Sequence, residues 1–365
     1  MESGLLPLAP RGSRDFNEWI LGVLARVAAQ VEDCQGDNLV ALVLGGAWGR
    51  QEGAIVRHGR FERPFLPIDL FPVVRERDSV SDDDWKPILA RFDVALANKM
   101  RFHPALTPAD IAQLPGHVRW HDLVHGHTVL AGDPNVLVRG ASEAARRPPA
   151  RIEATRLVLD AGVPLVQALR VLRGLEPPPT RDFVRETFHG VVLSLGDALL
   201  VAHGRYRIHW ARRDDDLDDL AHEVPAVRRL GLVHDYRLAL ISLLFPDDSW
   251  IVYGSEHLMR KLAERWGEVL LAVERERVGG QWRTLAEYLA EGPLPDDENA
   301  TPTRWLRRVR DSWRQPAPAL PGEARTPPSR ELASALPAVL GLGNAPLADW
   351  PAASARLVRQ WGAPA

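Results

Sequence analysis

Two short stretches carry the residue types that could do chemistry. In Leu42 to Gly53 (LVLGGAWGRQEG) an apolar run ends in a glycine pair and a polar turn. In Leu66 to Val74 (LPIDLFPVV) a second apolar run carries one carboxylate, Asp69. Glycine lets a backbone approach phosphate oxygens closely, and amides at a helix start can hold them. Carboxylates on an adjacent strand can hold divalent ions that bridge the phosphates and an attacking hydroxyl. Transfer of this kind is mostly positioning and charge neutralisation. It needs two or three carboxylates, and two at alternate strand positions share one face. At that spacing Asp69 is flanked by Pro67 and Phe71, neither of which binds a metal.

The elements that must position these residues follow from periodicity. Phe16, Trp19, Ile20, Val23, Leu24, Val27 and Val31 recur at helical spacing behind a capping pair, Asp15 and Glu18. Leu39 to Leu44 and Ile68 to Val74 read as strands, with Pro72 arguing for an edge or a bulge in the second. Arg57 to Pro64 reads as a polar loop, Asp83 to Arg91 as a helix, and Phe92 to Ala97 and Met100 to Phe102 as short strands. Beyond Arg146 to Pro149 the pattern turns helical: Ile152 to Arg173, Arg181 to His203, Leu217 to Leu230, Tyr236 to Leu244, Glu256 to Arg275, Trp282 to Glu291 and Thr303 to Trp313. Gln315 to Ser329 is rich in Pro and Ala and reads as a linker. The division expected is a disordered N-terminus over 1–12, an α+β domain over 13–145 and an all-α helical bundle over 150–314. A linker and helical tail over 315–365 complete it.

The strand, glycine pair, Gly49-Arg50-Gln51-Glu52-Gly53 turn and Asp69-bearing strand together resemble the nucleotidyltransferase superfamily. Its members include antitoxin-type minimal enzymes and antibiotic-modifying adenylyltransferases. The family pattern is a strand, Gly-Gly or Gly-Ser, a turn often containing Arg-Gly-Glu, then Asp-x-Asp on the next strand. The resemblance covers about the first 145 residues. It implies a mixed sheet with helices, nucleotide binding at Gly45, Gly46, Gly49, Arg50 and Glu52, and Asp69 as a catalytic metal ligand. Asp93 or the Met100 to His103 strand, which offers Arg101, would stand where the family has its third carboxylate. Magnesium is the cofactor of an active member.

Other residues invite chemistry less strongly. His121, His125 and His127 lie close together, but Asp122 and Gly126 make the stretch read as a turn into a strand rather than a metal site. Arg229 and His234 have the Arg-x4-His spacing of helical HEPN ribonucleases, with Leu230 in place of the usual polar residue. Asp214 to Asp216, with Asp218 and Asp219, reads as a solvated helix start. Gly196, within Ser194 to Leu200, reads as a close helix contact.

Composition narrows the field. The 365 residues are 45% hydrophobic and 25% charged, as in ordinary globular proteins. A formal charge of −3 gives no strong nucleic-acid signal. One cysteine, Cys34, excludes an internal disulfide framework and a cysteine-rich zinc site. No run approaches the ~18 apolar residues of a membrane span, and no apolar leader follows a basic start. These features predict a cytoplasmic protein with no membrane partner. The missing acidic partner predicts a degenerate nucleotidyltransferase, a pseudoenzyme that binds nucleoside triphosphate weakly and transfers little. The alternatives are an active metal-dependent enzyme that moves a nucleoside monophosphate to a hydroxyl, and a module that binds a protein partner through its helical domain.

Overall fold

The computed structural model describes residues 7–59, 61–78, 80–92, 94–180, 182–246, 255–291, 328–342 and 349–361. The chain forms two compact units. The first comprises Met1–Pro149 with Arg207–Trp210 and Ile241–Ser249; the second comprises the remainder.

The first unit is α+β. Helix α1 (Arg14–Gln35) starts where the Ser13 side chain accepts from the Phe16 amide, and it ends at Gly36, whose φ is +50°. Phe16, Ile20, Val23, Leu24, Val27 and Val31 form its buried stripe. That stripe packs on a core that includes Leu42, Leu44, Trp48, Ile68 and Leu70. Leu8 and Ala9, inside the stretch that composition assigns to a disordered start, are buried in the same core.

Strands β1 (Leu39–Leu44), β4 (Ile68–Val74), β5 (Met100–Phe102) and β6 (Thr128–Gly132) form one mixed sheet in the order β5-β4-β1-β6. β1 runs antiparallel to β4 and β6, while β4 and β5 run parallel. The second strand is therefore interior and Pro72 marks no edge, but the pairing of β1 with β4 does shift register between Leu39 and Ala41, opposite Val74 and Val73 and next to Pro72. The reason is local. Ile68 and Val74 donate their amides toward the β5 side, to Lys99 and Leu106. Pro72, in phase with them, would do the same at a point past Phe102, where β5 has ended.

Three other expectations change. Arg57 to Pro64 is not a loop: β2 (Ile55–His58) and β3 (Phe61–Pro64) form an antiparallel hairpin, with Gly59 at φ +62° in its turn. Val94–Ala97 is a helical turn and not a strand. Ahead of it, the expected helix over 83–91 is a 3-10 turn, Asp82–Trp85, followed by the short helix Lys86–Leu89.

The second unit, among the described residues, contains helices and no strand. They are Arg151–Leu172, Phe183–Ala202, Arg213–Glu223, Pro225–Leu230, Val233–Leu244 as far as Leu240, Glu256–Val278, Leu285–Glu291, Pro328–Val339 and Trp350–Trp361. The single helix expected over 217–230 is two, because Pro225 begins a new one after Val224. Trp266 is fully buried and its indole N–H donates to the Val158 carbonyl at 2.6 Å. A Cβ at Gly196 would lie 2.2 Å from the Tyr236 ring, so only glycine permits that helix approach. The expected helix Thr303 to Trp313 and most of the Pro/Ala-rich linker fall outside the described residues.

Candidate functional site

β1 delivers its last residue, Leu44, into the glycine pair. The Gly45 amide donates to the Asp69 carbonyl at 2.8 Å, which extends the ladder between β1 and β4 by one bond. A Cβ at Gly45 would lie 2.6 Å from the Phe71 ring. Gly46 has φ +61°, and a Cβ there would lie 2.6 Å from Asp69 Oδ2. A single helical turn, Gly46–Gly49, follows. At Gly49 a Cβ would come within 2.3 Å of the Leu44 carbonyl oxygen. Gly45, Gly46 and Asp69 thus meet at one point, and the glycines are needed for that meeting.

Arg50 and Glu52 are committed to a different task. The Arg50 side chain is buried; its Nε donates to Glu52 Oε2 at 3.0 Å and its Nη1 to Asp122 Oδ2 at 3.4 Å. Its guanidinium lies 4.9 Å from the Trp210 ring centre. Glu52 Oε1 accepts from the Trp210 amide at 2.7 Å. The polar turn therefore works as a clasp on Trp210, and the Arg50 charge is already matched by two carboxylates.

Asp69 meets cations and an imidazole where the family pattern would place further acids. His103 Nε2 donates to Asp69 Oδ1 at 2.9 Å. His103 is 6% exposed and stacks on Phe71 with ring centres 4.2 Å apart. In the parallel register Asp69 pairs with Arg101, so these two share a face. The Arg119 guanidinium lies 5.9 Å from the Phe71 ring and 4.8 Å from that of Trp120. Burial pushes the His103 pKa below its ordinary value. The bond and charge of Asp69 oppose that shift, while Arg119 and Arg101 add to it. Burial also pulls the Arg119 pKa well down, against the pull of the Asp69 charge. His103 is accordingly neutral near pH 7.

A magnesium ion requires several oxygen ligands. Asp69 instead has an imidazole on one oxygen, an arginine as its register neighbour, and Pro67 and Phe71 at the alternate positions of its strand. Among the described residues no group of three or more His, Cys, Asp or Glu side chains could hold a metal ion. Among the described residues, the set around Asp69 does not fit magnesium. Asp93 lies outside the described residues. His103 and Arg119 were not apparent as site residues from sequence. His103 had a faint signal, since it directly follows the short strand, whereas Arg119 had none.

Gly126 and His127 make the expected turn from the helix Val118–His125 into β6. His121 and His125 sit on one face of the helix Val118–His125, with ring centres 4.5 Å apart, and His125 Nε2 donates to the Arg146 carbonyl at 2.8 Å. Asp214 to Asp216 occupy the first turn of the helix Arg213–Glu223. Arg229 lies in the last turn of the helix Pro225–Leu230 and His234 in the first turn of Val233–Leu244, with Gly231 between.

No protein-family model and no curated protein matches the chain. Among solved structures it is similar to a nucleotidyltransferase-like protein from Exiguobacterium sibiricum 255-15. Identity is 14%, the match covers 70% of this chain and 81% of that one, and the TM-score is 0.25. A likeness at this level leaves function to be read from the site's own geometry. Among the described residues no helix is long and apolar enough to cross a membrane.

Proposed function

We propose that the first unit is a nucleotidyltransferase-like module that has lost efficient transfer and keeps weak, metal-insensitive binding of a nucleoside triphosphate. The supporting geometry is the meeting of Gly45, Gly46 and Asp69 at the end of β1, in the arrangement that the sequence pattern anticipates. The observation that carries the loss of transfer is the company Asp69 keeps. His103 is bonded to its carboxylate, and Arg101 holds the register position beside it. Two-metal displacement needs carboxylates there, and an arginine at that position repels the ion it would have to help hold.

The test is a transfer assay. ATP or GTP labelled in the α-phosphate is incubated with the full chain, magnesium or manganese, and small hydroxyl compounds. No label should pass to the protein or to the acceptors. Robust transfer that disappears in Asp69→Asn would overturn this reading and establish an active metal-dependent enzyme.

A further inference from the structure

We propose that the Asp69 site takes a phosphate chain directly, without a divalent ion, with Arg119 and Arg101 supplying the positive charge and Asp69 serving to fix His103. This rests on the nucleotide-binding reading above and names how the ligand is held.

Three observations converge on it. Arg101 shares a face with Asp69 through the β4–β5 register. The Arg119 guanidinium lies 5.9 Å from the centre of the Phe71 ring, which stacks on His103, the partner of Asp69. Arg50, the cation that the turn pattern would assign to phosphate, is matched by Glu52 and Asp122. With His103 neutral, the group of Asp69, Arg101 and Arg119 has an excess of positive charge, whereas Arg50 with its two carboxylates has an excess of negative charge. An anion therefore favours the first cluster over the second. Arginine suits the role, because its planar fork matches phosphate oxygens and its charge is weakly hydrated. Phe71 and Trp120 beside Arg119 lower the local dielectric, which strengthens the attraction. In this arrangement the guanidinium groups do what a metal ion does elsewhere: they neutralise phosphate charge.

The roles assigned to Asp69 differ in sign, and that makes the test sharp. Inorganic tripolyphosphate is titrated calorimetrically into the full chain at low salt with EDTA present. Wild type should bind. Arg119→Met and Arg101→Met should each weaken binding about tenfold, the cost of one charge-assisted contact. Asp69→Asn removes a negative charge from beside the anion and should tighten binding. If Asp69 instead holds a metal, EDTA abolishes binding and Asp69→Asn never tightens it, which overturns the proposal. Arg119→Lys keeps the charge and should retain part of the affinity, so it serves if Arg119→Met fails to fold. ATP binding that persists unchanged in both Met variants overturns this inference and leaves the nucleotide-binding reading standing. Failure of wild type to bind either tripolyphosphate or ATP overturns both.

Discussion

Asp69 in the first unit and Asp197 in the second are both aspartates set against arginine, and they are held in opposite ways. Asp197 is saturated: Oδ2 accepts from Arg213 Nη1 at 2.7 Å and Oδ1 from the Tyr236 hydroxyl at 2.6 Å. Arg213 is 1% exposed, and its other nitrogen donates to the Tyr206 hydroxyl at 2.8 Å. Burial and the neighbouring Asp197 push the Tyr236 pKa well up, so that hydroxyl stays a donor. Glu274 repeats the pattern, taking bonds from Thr155, Arg277 and Tyr288 with no exposure at all. Asp69 is bonded through Oδ1 to His103, while Oδ2 faces the space that Gly46 leaves by having no Cβ. Asp197, with each oxygen on a buried donor, fastens helices together. Asp69 instead holds His103 with one oxygen and lies against Gly46 with the other, beside Arg101 in the strand register.

Mutation should separate the two kinds. Asp197→Ala strands a buried guanidinium, and breaking such a pair costs about 3–5 kcal/mol; the thermal midpoint of the second unit should fall sharply. Asp69→Asn should change stability by less than about 1 kcal/mol, since an amide oxygen still accepts from neutral His103. Calorimetric melts of both variants check this, and equal losses would erase the distinction.

A smaller effect is expected from pH. Burial lowers the pKa values of His103, His121 and His127 in the first unit. In the unfolded chain these histidines titrate at the ordinary value of about 6.5. The unfolded chain therefore binds more protons than the folded one in the window below that value, and stability rises with pH there. Their contribution is complete above the unfolded value and is lost as pH falls through the folded ones. Because Asp69 opposes the His103 shift, Asp69→Asn should move the His103 titration to lower pH, as followed by the NMR shift of its ring proton. A move to higher pH would break the assigned coupling.

Much of this fold is legible in the sequence. The apolar runs Leu39–Leu44 and Ile68–Val74 are neighbouring strands of one mixed sheet, and the glycine pair terminates the first. The 3.6 spacing also gives α1 and the long helices, because a continuous buried stripe leaves a strong periodic trace. Short elements are less legible. Val94–Ala97 carries too few residues for periodicity to distinguish helix from strand, and the Ile55–Pro64 hairpin hides behind charged residues because much of it faces solvent. Pro72 misleads because a proline's tolerance depends on which neighbour its missing N–H would have faced. At the site, Gly45, Gly46 and Asp69 are legible as a local pattern. The bond from His103 and the charge of Arg119 come from residues 34 and 50 positions away from Asp69 along the chain, and no local spacing encodes them.

Phosphate held by arginine and phosphate held through a metal ion respond differently to chelation. ATP titrated calorimetrically into the full chain, once in magnesium and once in EDTA, distinguishes the two most directly. Weak binding that persists in EDTA, at least as tight there as in magnesium, is expected. Tight binding in magnesium that collapses in EDTA would contradict binding by arginine.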